Sequence, residues 1–426
     1  MRFQSLNDWL DWQALLHPST IELGLERVAT VWQQLHPNPF PSLVITVAGT
    51  NGKGSCTAML GAILRAAGYR TGCYSSPHLL RYNERIRIDG AEASDGAICQ
   101  AFERIDQARD NTSLTYFEFG TLAALEIFAI SALDVVILEV GLGGRLDAVN
   151  IIDADVALIT SVDMDHMDWL GDDLEQIALE KCGVMRANRP AVFGGNTTPA
   201  SLVEYAESLQ VPLSVAGEGF NFRATEHDWD WVSEGKKLCN LALPSLQGCH
   251  QLQNAAAVIK VVDLLADRLT INHDAICQGL ANTHLPGRFQ VIPGSVDLIL
   301  DVAHNPAAAQ VLADTLQQLP CTGRTLAVFA MLSDKDVVSV TEIMSPHVNG
   351  WYLGALEDKR TLSAHEIQQQ MHKAGVIRHV QPYQNLMDAY FAAQSEAVCG
   401  DRVLVFGSFI AAAGVLDHES TAPLGI

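Results

Sequence analysis

The feature that most restricts the fold is the junction at residues 43–55. A six-residue apolar run, Leu43–Ala48, is closed by Gly-Thr-Asn-Gly-Lys-Gly-Ser at 49–55, and helical periodicity follows from Ser55 to Ala67. A run of this length, apolar but for Thr46, reads as a strand buried on both faces, and a glycine-rich turn into a helix is how parallel strands are linked. The pattern recurs. Thr71–Tyr74 and the runs at 134–140, 155–160 and 190–194 read as strands, while Phe119–Ser131 and Asp172–Cys182 read as helices. Strands alternating with helices predict an α/β chain with a doubly wound parallel sheet.

The stretch 218–246, rich in Trp, Asp and turn residues, breaks this rhythm and is expected to form a small antiparallel excursion. Asn254–Ala266 and His273–Ala281 return to helix. Leu-Pro-Gly-Arg-Phe-Gln at 285–290 then reads as a linker. A second strand–helix series follows, with apolar runs inside 296–306, 325–332 and 402–409. Two doubly wound α/β domains are expected, 1–286 and a smaller one at 287–426.

Composition narrows the function. The chain has 426 residues, 48% of them hydrophobic, enough for a large core. Its net charge of −22 argues against nucleic acid as a partner. Any anionic small ligand must be held by local backbone dipoles, metal ions and a few basic side chains, because the average field repels it. The longest apolar stretch, Ala123–Val140, is interrupted by Glu126, Asp134 and Glu139, so no membrane span is expected. Met1–Leu16 lacks the basic-then-apolar order of a signal peptide. Nine cysteines without a C-x-x-C pair point to free thiols, and a cytoplasmic protein is expected.

At residues 49–55 the glycines let backbone N–H groups converge on an anion at a helix N-terminus. Lys53 would add a point charge for phosphate and Ser55 a hydroxyl for Mg²⁺. The spacing differs from G-x-x-x-x-G-K-[ST], so an ordinary glycine-rich turn is the competing reading. Glu139 ends an apolar strand and is followed by Gly141, Gly143 and Gly144, then Arg145 and Asp147. Ligands of open parallel sheets gather at such strand ends. His166 lies among aspartates in 161–173, which suits a divalent metal or a polar surface loop alike. Lys181 by itself reads as a solvated lysine or an ion-pair partner on a helix. His78, Arg81, Arg85 and Arg87, in 74–88, form a basic cluster suited to receiving carboxylates. Asp301 and His304 follow a strand, and His304 reads as structural.

Ten motifs stand in order: GTNGKGS, YSSPHL, TYFEFGT at 115–121, EVGLGGRLDA, Asp165-His166, EKCG, LPGRF, DVAHNP, LSDKD at 332–336 and FGSF at 406–409. Over nearly the whole chain this set resembles the Mur ligase superfamily, and within it the bacterial bifunctional dihydrofolate synthase/folylpolyglutamate synthases. The 49–55 loop is similar to that family's own phosphate loop. The resemblance implies an N-terminal P-loop-type ATPase domain at 1–286, which also carries the dihydropteroate or folate site. It implies a smaller Rossmann-like domain at 287–426.

The activity implied is that of an ADP-forming carboxylate–amine ligase. It joins L-glutamate to dihydropteroate and to tetrahydrofolates through an acyl phosphate, using ATP as substrate and Mg²⁺ as cofactor. A folylpolyglutamate synthase without the dihydropteroate activity is the alternative. By the same resemblance Thr50, Asn51, Gly52, Lys53, Gly54 and Ser55 bind ATP, together with Asn254, Arg288 and Asp301. Ser76, Glu139 and His166 match the metal positions, with Ser55 and Lys181 as further ligands. Lys181 matches a lysine carbamylated in the family, and Lys53, Lys181 and His166 are the expected catalytic residues. Ile21, Glu22 and Leu23, the stretch Thr115, Tyr116, Phe117 and Glu118, and Leu146, Asp147 and Ala148 match the dihydropteroate-binding segments. Cys182 departs from the alanine common in relatives. A monomer is expected.

Overall fold

The computed structural model describes residues 2–377 and 379–421, and the statements below concern these residues. They form two compact units, Met1–Ser245 with Gln251–His284, and Leu246–His250 with Leu285–Ile426.

The first unit is built on an eight-stranded sheet. Its strands are β1 (Leu43–Ala48), β2 (Thr71–Tyr74), β3 (Ile86–Ile88), β4 (Ala91–Glu92), β5 (Val135–Glu139), β6 (Val156–Ile159), β7 (Ala191–Phe193) and β8 (Leu213–Val215). They lie in the order β4-β3-β2-β5-β1-β6-β7-β8. Every residue of β1, β5 and β6 is buried, as expected for central strands covered on both faces. The core here joins Val44 and Val136 of the sheet to Leu122, Phe119 and Phe128 of the helix Tyr116–Ala129.

A wholly parallel sheet was the expectation, and one edge departs from it. β2–β3 and β3–β4 pair antiparallel. For β3–β4 the cause is the Asp89-Gly90 pair, with φ of 50° and 85°, which closes a tight hairpin between Ile88 and Ala91; β3 itself turns back on β2 through the short segment 75–85. This hairpin takes up part of the stretch that reads as a basic cluster.

The excursion after β8 is a three-stranded antiparallel sheet of β9 (Phe220–Ala224), β10 (Asp228–Ser233) and β11 (Lys236–Ala242). Trp229 and Trp231 alternate with polar neighbours along β10 and are fully buried, and the Trp231 indole donates to the Ala256 carbonyl at 3.0 Å.

The second unit carries a six-stranded sheet in the order β12-β13-β17-β14-β15-β16. Its strands are β12 (Gln290–Ile292), β13 (Asp297–Leu300), β14 (Thr325–Phe329), β15 (Gly350–Leu353), β16 (Val380–Pro382) and β17 (Arg402–Phe406). Only the β12–β13 pair is antiparallel. Phe329 and Phe406, 4.8 Å apart by ring centroid, centre its core. No helix among the described residues is long and apolar enough to cross a membrane.

Candidate functional site

Strand order brings together three motifs that are distant in sequence. β1 lies between β5 and β6, with Val47 opposite Glu139 and Ala48 opposite Ile159. The segments after these strands, beginning at Gly49, Val140 and Thr160, therefore leave the sheet side by side at its carboxyl edge. That edge is where open parallel sheets bind ligands.

The loop after β1 enters the helix Lys53–Ala66, whose first turn carries no acidic residue. The positive end of the helix dipole is thus available to an anion. Gly52 lies at φ 88°, where an L side chain is strained, and a Cβ there would lie 2.8 Å from Asn254 Oδ1 and force that amide to shift. The loop is fastened to the segment after β6. Thr50 N donates to Ser161 O at 2.9 Å, Asn51 N to Ser161 Oγ at 3.0 Å, and Thr160 Oγ1 to Asn51 O at 2.6 Å. Lys53 Nζ donates to the carbonyls of Gly49 and Thr50 at 2.7 and 3.0 Å, so its charge stays at the loop. Ser55 is buried and accepts from Gln251 Nε2 at 3.3 Å, while Asn254 Nδ2 donates to Gln251 Oε1 at 3.0 Å.

After β5, the buried Glu139 leads into a loop organised by Asp147. Asp147 Oδ2 accepts from Gly141 N and Leu142 N, both at 2.9 Å, and Oδ1 accepts from Val149 N at 3.0 Å. Burial pushes its carboxyl up to about 6, against the pull of these three amides.

The solvated Lys181 expected from the residues alone is overturned. Its residue is 3% exposed. Ile177, Ala178, Lys181 and Cys182 share the buried face of the helix Leu174–Cys182, so helical spacing carries the lysine inward. Burial, then the nearby Lys53 charge, lowers its pKa to about 7, with Asp165 and Asp163 opposing. Most of the amine can therefore be neutral just above neutral pH.

Beside the sheet edge lies a cavity of about 250 Å³. One wall is the segment Thr20 to Gly24, which contains Ile21, Glu22 and Leu23. A second is the start of the helix Tyr116–Ala129, with Thr115, Phe117 and Glu118. There Thr115 and Glu118 form a reciprocal capping box. The glycine loop supplies Gly141, Leu142, Leu146, Asp147 and Ala148, and Ser76, Pro77, Arg85 and His166 complete the lining. Of the segments matched to dihydropteroate, Tyr116 alone does not line it. That ring turns edge-on to Tyr82 at 5.9 Å and lies under Arg85.

The basic cluster disperses. Arg87, on β3, pairs with Glu92 at 3.2 Å, and Arg81 lies 3.8 Å from Asp95. Arg85 alone of the four lines the cavity, and its Nε donates to His78 Nδ1 at 2.8 Å. Burial and that guanidinium lower His78 to about 4, so the ring is neutral and accepts. Thr20, Gly24 and Pro77 were not picked out as site residues from sequence, whereas Gly141 and Leu142 belong to the glycine segment that was. Each of the first three adjoins a residue that was, and proximity in sequence is the only signal that could have found them.

In the second unit, Asp301 accepts from Phe289 N at 2.8 Å and Ala303 N at 2.7 Å, and desolvation raises its carboxyl. Arg288 lies over the Phe409 ring at 5.2 Å and draws the Asp301 value back down. His304 Nδ1 contacts the Val302 carbonyl at 2.8 Å and its ring faces Phe409.

Comparison with known proteins follows this layout. Residues 47–262 match the model of the Mur ligase middle domain, and 287–409 that of the Mur ligase glutamate ligase domain. The dihydrofolate synthase/folylpolyglutamate synthase of Escherichia coli (strain K12) is 43% identical over 97% of this chain and 95% of its own. A solved structure of E. coli FolC in complex with DHPP and ADP superposes with a TM-score of 0.93 at 42% identity, covering 98% of both chains. A bifunctional folylpolyglutamate synthase/dihydrofolate synthase with Mn, AMPPNP and L-glutamate bound gives 0.90 at 43% identity, again covering 98% of both. The chain belongs to the dihydrofolate synthase/folylpolyglutamate synthase family of Mur ligases.

Proposed function

We propose that this protein is an ATP-dependent ligase that adds L-glutamate to dihydropteroate and to tetrahydrofolates. The observation that carries the reading is the junction of β1, β5 and β6, which sets a phosphate-type loop and the Glu139 and Asp163–His166 segments beside the cavity. The ADP, DHPP, AMPPNP and L-glutamate held by related structures support it. So do the relatives' names, which favour both activities over the folylpolyglutamate activity alone.

In the proposed reaction a carboxylate oxygen of the folate acid attacks the γ-phosphorus of ATP, and ADP leaves with the bridging oxygen. The glutamate amine then attacks the acyl carbon, loses a proton, and the tetrahedral intermediate expels phosphate. Gly52–Ser55 hold the phosphates through backbone amides and the Lys53 ammonium, while the Thr50 and Asn51 amides are engaged by Ser161 and keep the loop in place. For Asn254, Arg288 and Asp301 the assignment to nucleotide rests on the family resemblance. Phe117, Leu142 and Leu146 give the cavity apolar lining for a flat ring system, and Asp147 and Glu118 add buried carboxylates to that lining.

The donor types present fit a divalent cation. Ser76, Glu139 and His166 offer a hydroxyl, a carboxylate and an imidazole, with Ser55 as a further hydroxyl. Among the described residues no group of three or more His, Cys, Asp or Glu forms a ready-made cage. Mg²⁺ suits such a sparse set, since it keeps waters and takes substrate phosphates. When bound, the ion neutralises phosphate charge.

Lys181 is proposed to be carbamylated. The neutral amine forms an N–C bond to CO₂ and releases a proton, which turns a cation into an anion that would add to the proposed metal donors. The reading also includes a monomer, and a reducing cytoplasm, the latter supported by the free cysteines.

The test is ADP release from ATP, L-glutamate and either dihydropteroate or tetrahydrofolate. Turnover with both acids is expected. Turnover with tetrahydrofolate alone would favour the narrower activity, and turnover with neither would sink the reading.

A further inference from the structure

The cavity wall from Thr20 to Gly24 has no helix or strand of its own. Its backbone is tied to the glycine loop by Gly24 N donating to Leu146 O at 3.4 Å. What else holds it is a set of charged side chains centred on Arg27, a residue outside the cavity lining. Arg27 NH1 donates to Glu22 Oε1, and NH2 donates both to the Glu22 carbonyl at 3.1 Å and to Glu118 Oε1 at 3.0 Å. The other Glu22 oxygen meets His17 Nε2 at 2.7 Å, and His17 Nδ1 meets Ser113 Oγ at 2.8 Å.

One guanidinium therefore spans two walls of the cavity. Glu22 belongs to the irregular wall, while Glu118 is buried at the first turn of the helix Tyr116–Ala129, where its second oxygen accepts from Thr115 N at 2.8 Å. The placement of Arg27 argues that these partners, and not its own helix, account for the residue type. It sits in the first turn of the helix Glu26–Leu35, where a cation opposes the helix dipole. Both its carboxylate partners are protein groups, so it holds structure and leaves substrate acids to other residues.

We propose that Arg27 is a positioning residue for the folate-acid cavity: by clamping Glu22 to Glu118 it sets the separation of the two walls between which the pterin-bearing substrate lies. This rests on the ligase reading given above. Only a planar fork reaches two carboxylates and a carbonyl together, so lysine replaces the clamp incompletely.

The test uses Arg27→Lys and Arg27→Ala in the full chain. The readouts are steady-state kinetics and calorimetric titration of dihydropteroate, and separately of ADP. The clamp predicts that KM and Kd for dihydropteroate rise about tenfold in Arg27→Ala and by less in Arg27→Lys. It predicts that kcat at saturating acid and the ADP affinity stay within about twofold of wild type. An unchanged dihydropteroate affinity in both variants overturns the proposal. So does an equal loss in dihydropteroate and ADP binding, which marks a general structural role. If Arg27→Ala does not fold, Arg27→Lys decides alone. A wild-type chain that binds dihydropteroate without turnover would refute the ligase reading, while the binding titrations would still judge the clamp.

Discussion

Thr50 and Asp163 exchange two hydrogen bonds: Thr50 Oγ1 donates to the Asp163 carbonyl at 3.1 Å and accepts from Asp163 N at 3.0 Å. One threonine thereby joins the loop after β1 to the segment that carries His166. The exchange adds to the bonds from Thr50 N, Asn51 N and Thr160 Oγ1 that fasten the proposed phosphate loop to the segment leading to His166. A shift in either is transmitted to the other.

Lys53→Ala should reduce turnover with both acids by about a hundredfold or more, because a charge poised at a phosphate acts in the transition state. Its ammonium donates to the Gly49 and Thr50 carbonyls at the helix N-terminus and is no part of the apolar core, so the melting temperature should fall by no more than about 4 °C. Thermal melts alongside kinetics check both halves. Near-normal turnover would remove the loop from the mechanism.

Gly52→Ala should cost about 1–2 kcal/mol of stability, because an L side chain is disfavoured at φ 88°. The added methyl would also press on the Asn254 amide, 2.8 Å away, so KM for ATP should rise as well. Urea midpoints and ATP titrations measure the two effects. A variant as stable as wild type would show that the loop tolerates another path.

Asp147 gives a pH signature with a definite sign. Its folded value of about 6 lies above the 3.8 of an unperturbed aspartate, so between these limits the folded chain holds more protons than the unfolded one. Its contribution is greatest below the lower limit and is lost as pH rises through the upper one. In Asp147→Asn that titration is gone, although the amide must present N–H to a backbone N–H. The stability difference, wild type minus variant, should therefore fall by on the order of 2–3 kcal/mol from about pH 4 to about pH 7. Urea titrations of both proteins across that range supply the comparison, and a flat difference would refute the shift.

Lys181→Ala should lose activity, and acetate should restore part of it by filling the vacated space with a carboxylate. Lys181→Arg should stay inactive, because a guanidinium keeps its charge and cannot add CO₂. Normal turnover in the arginine variant would reduce residue 181 to a buried cation. In wild type, activity should rise with dissolved CO₂ above about pH 7, where the amine loses its proton.

Much of the molecule can be read locally. The apolar run Leu43–Ala48 is β1 residue for residue, and His273–Ala281 is a helix with the limits its periodicity predicts. Thr115 and Glu118 form the capping box that their three-residue spacing allows. The Asp89-Gly90 pair carries a hairpin signal, but the strands it joins, Ile86–Ile88 and Ala91–Glu92, are too short to show a strand period beside it. Lys181 shows the opposite limit. Its helical phase with Ile177 and Ala178 was visible, but a lysine on an apolar face normally extends its ammonium to water. Only the surrounding packing shows that this one does not reach it.

The sequence by itself determined the local pieces: which runs form strands, where a helix is capped, and which turns require glycine. Those outcomes depend on backbone sterics and burial within a few residues. Tertiary structure decided that Val47, Glu139 and Ile159 end neighbouring strands, that Arg85 reaches the cavity while Arg87 does not, and that Arg27 spans two acids from separate segments. Backbone pairing between strands is nearly indifferent to side-chain identity. Strand order is therefore chosen by how the crossover helices bury their apolar faces over the whole sheet, and no short stretch of sequence carries that information.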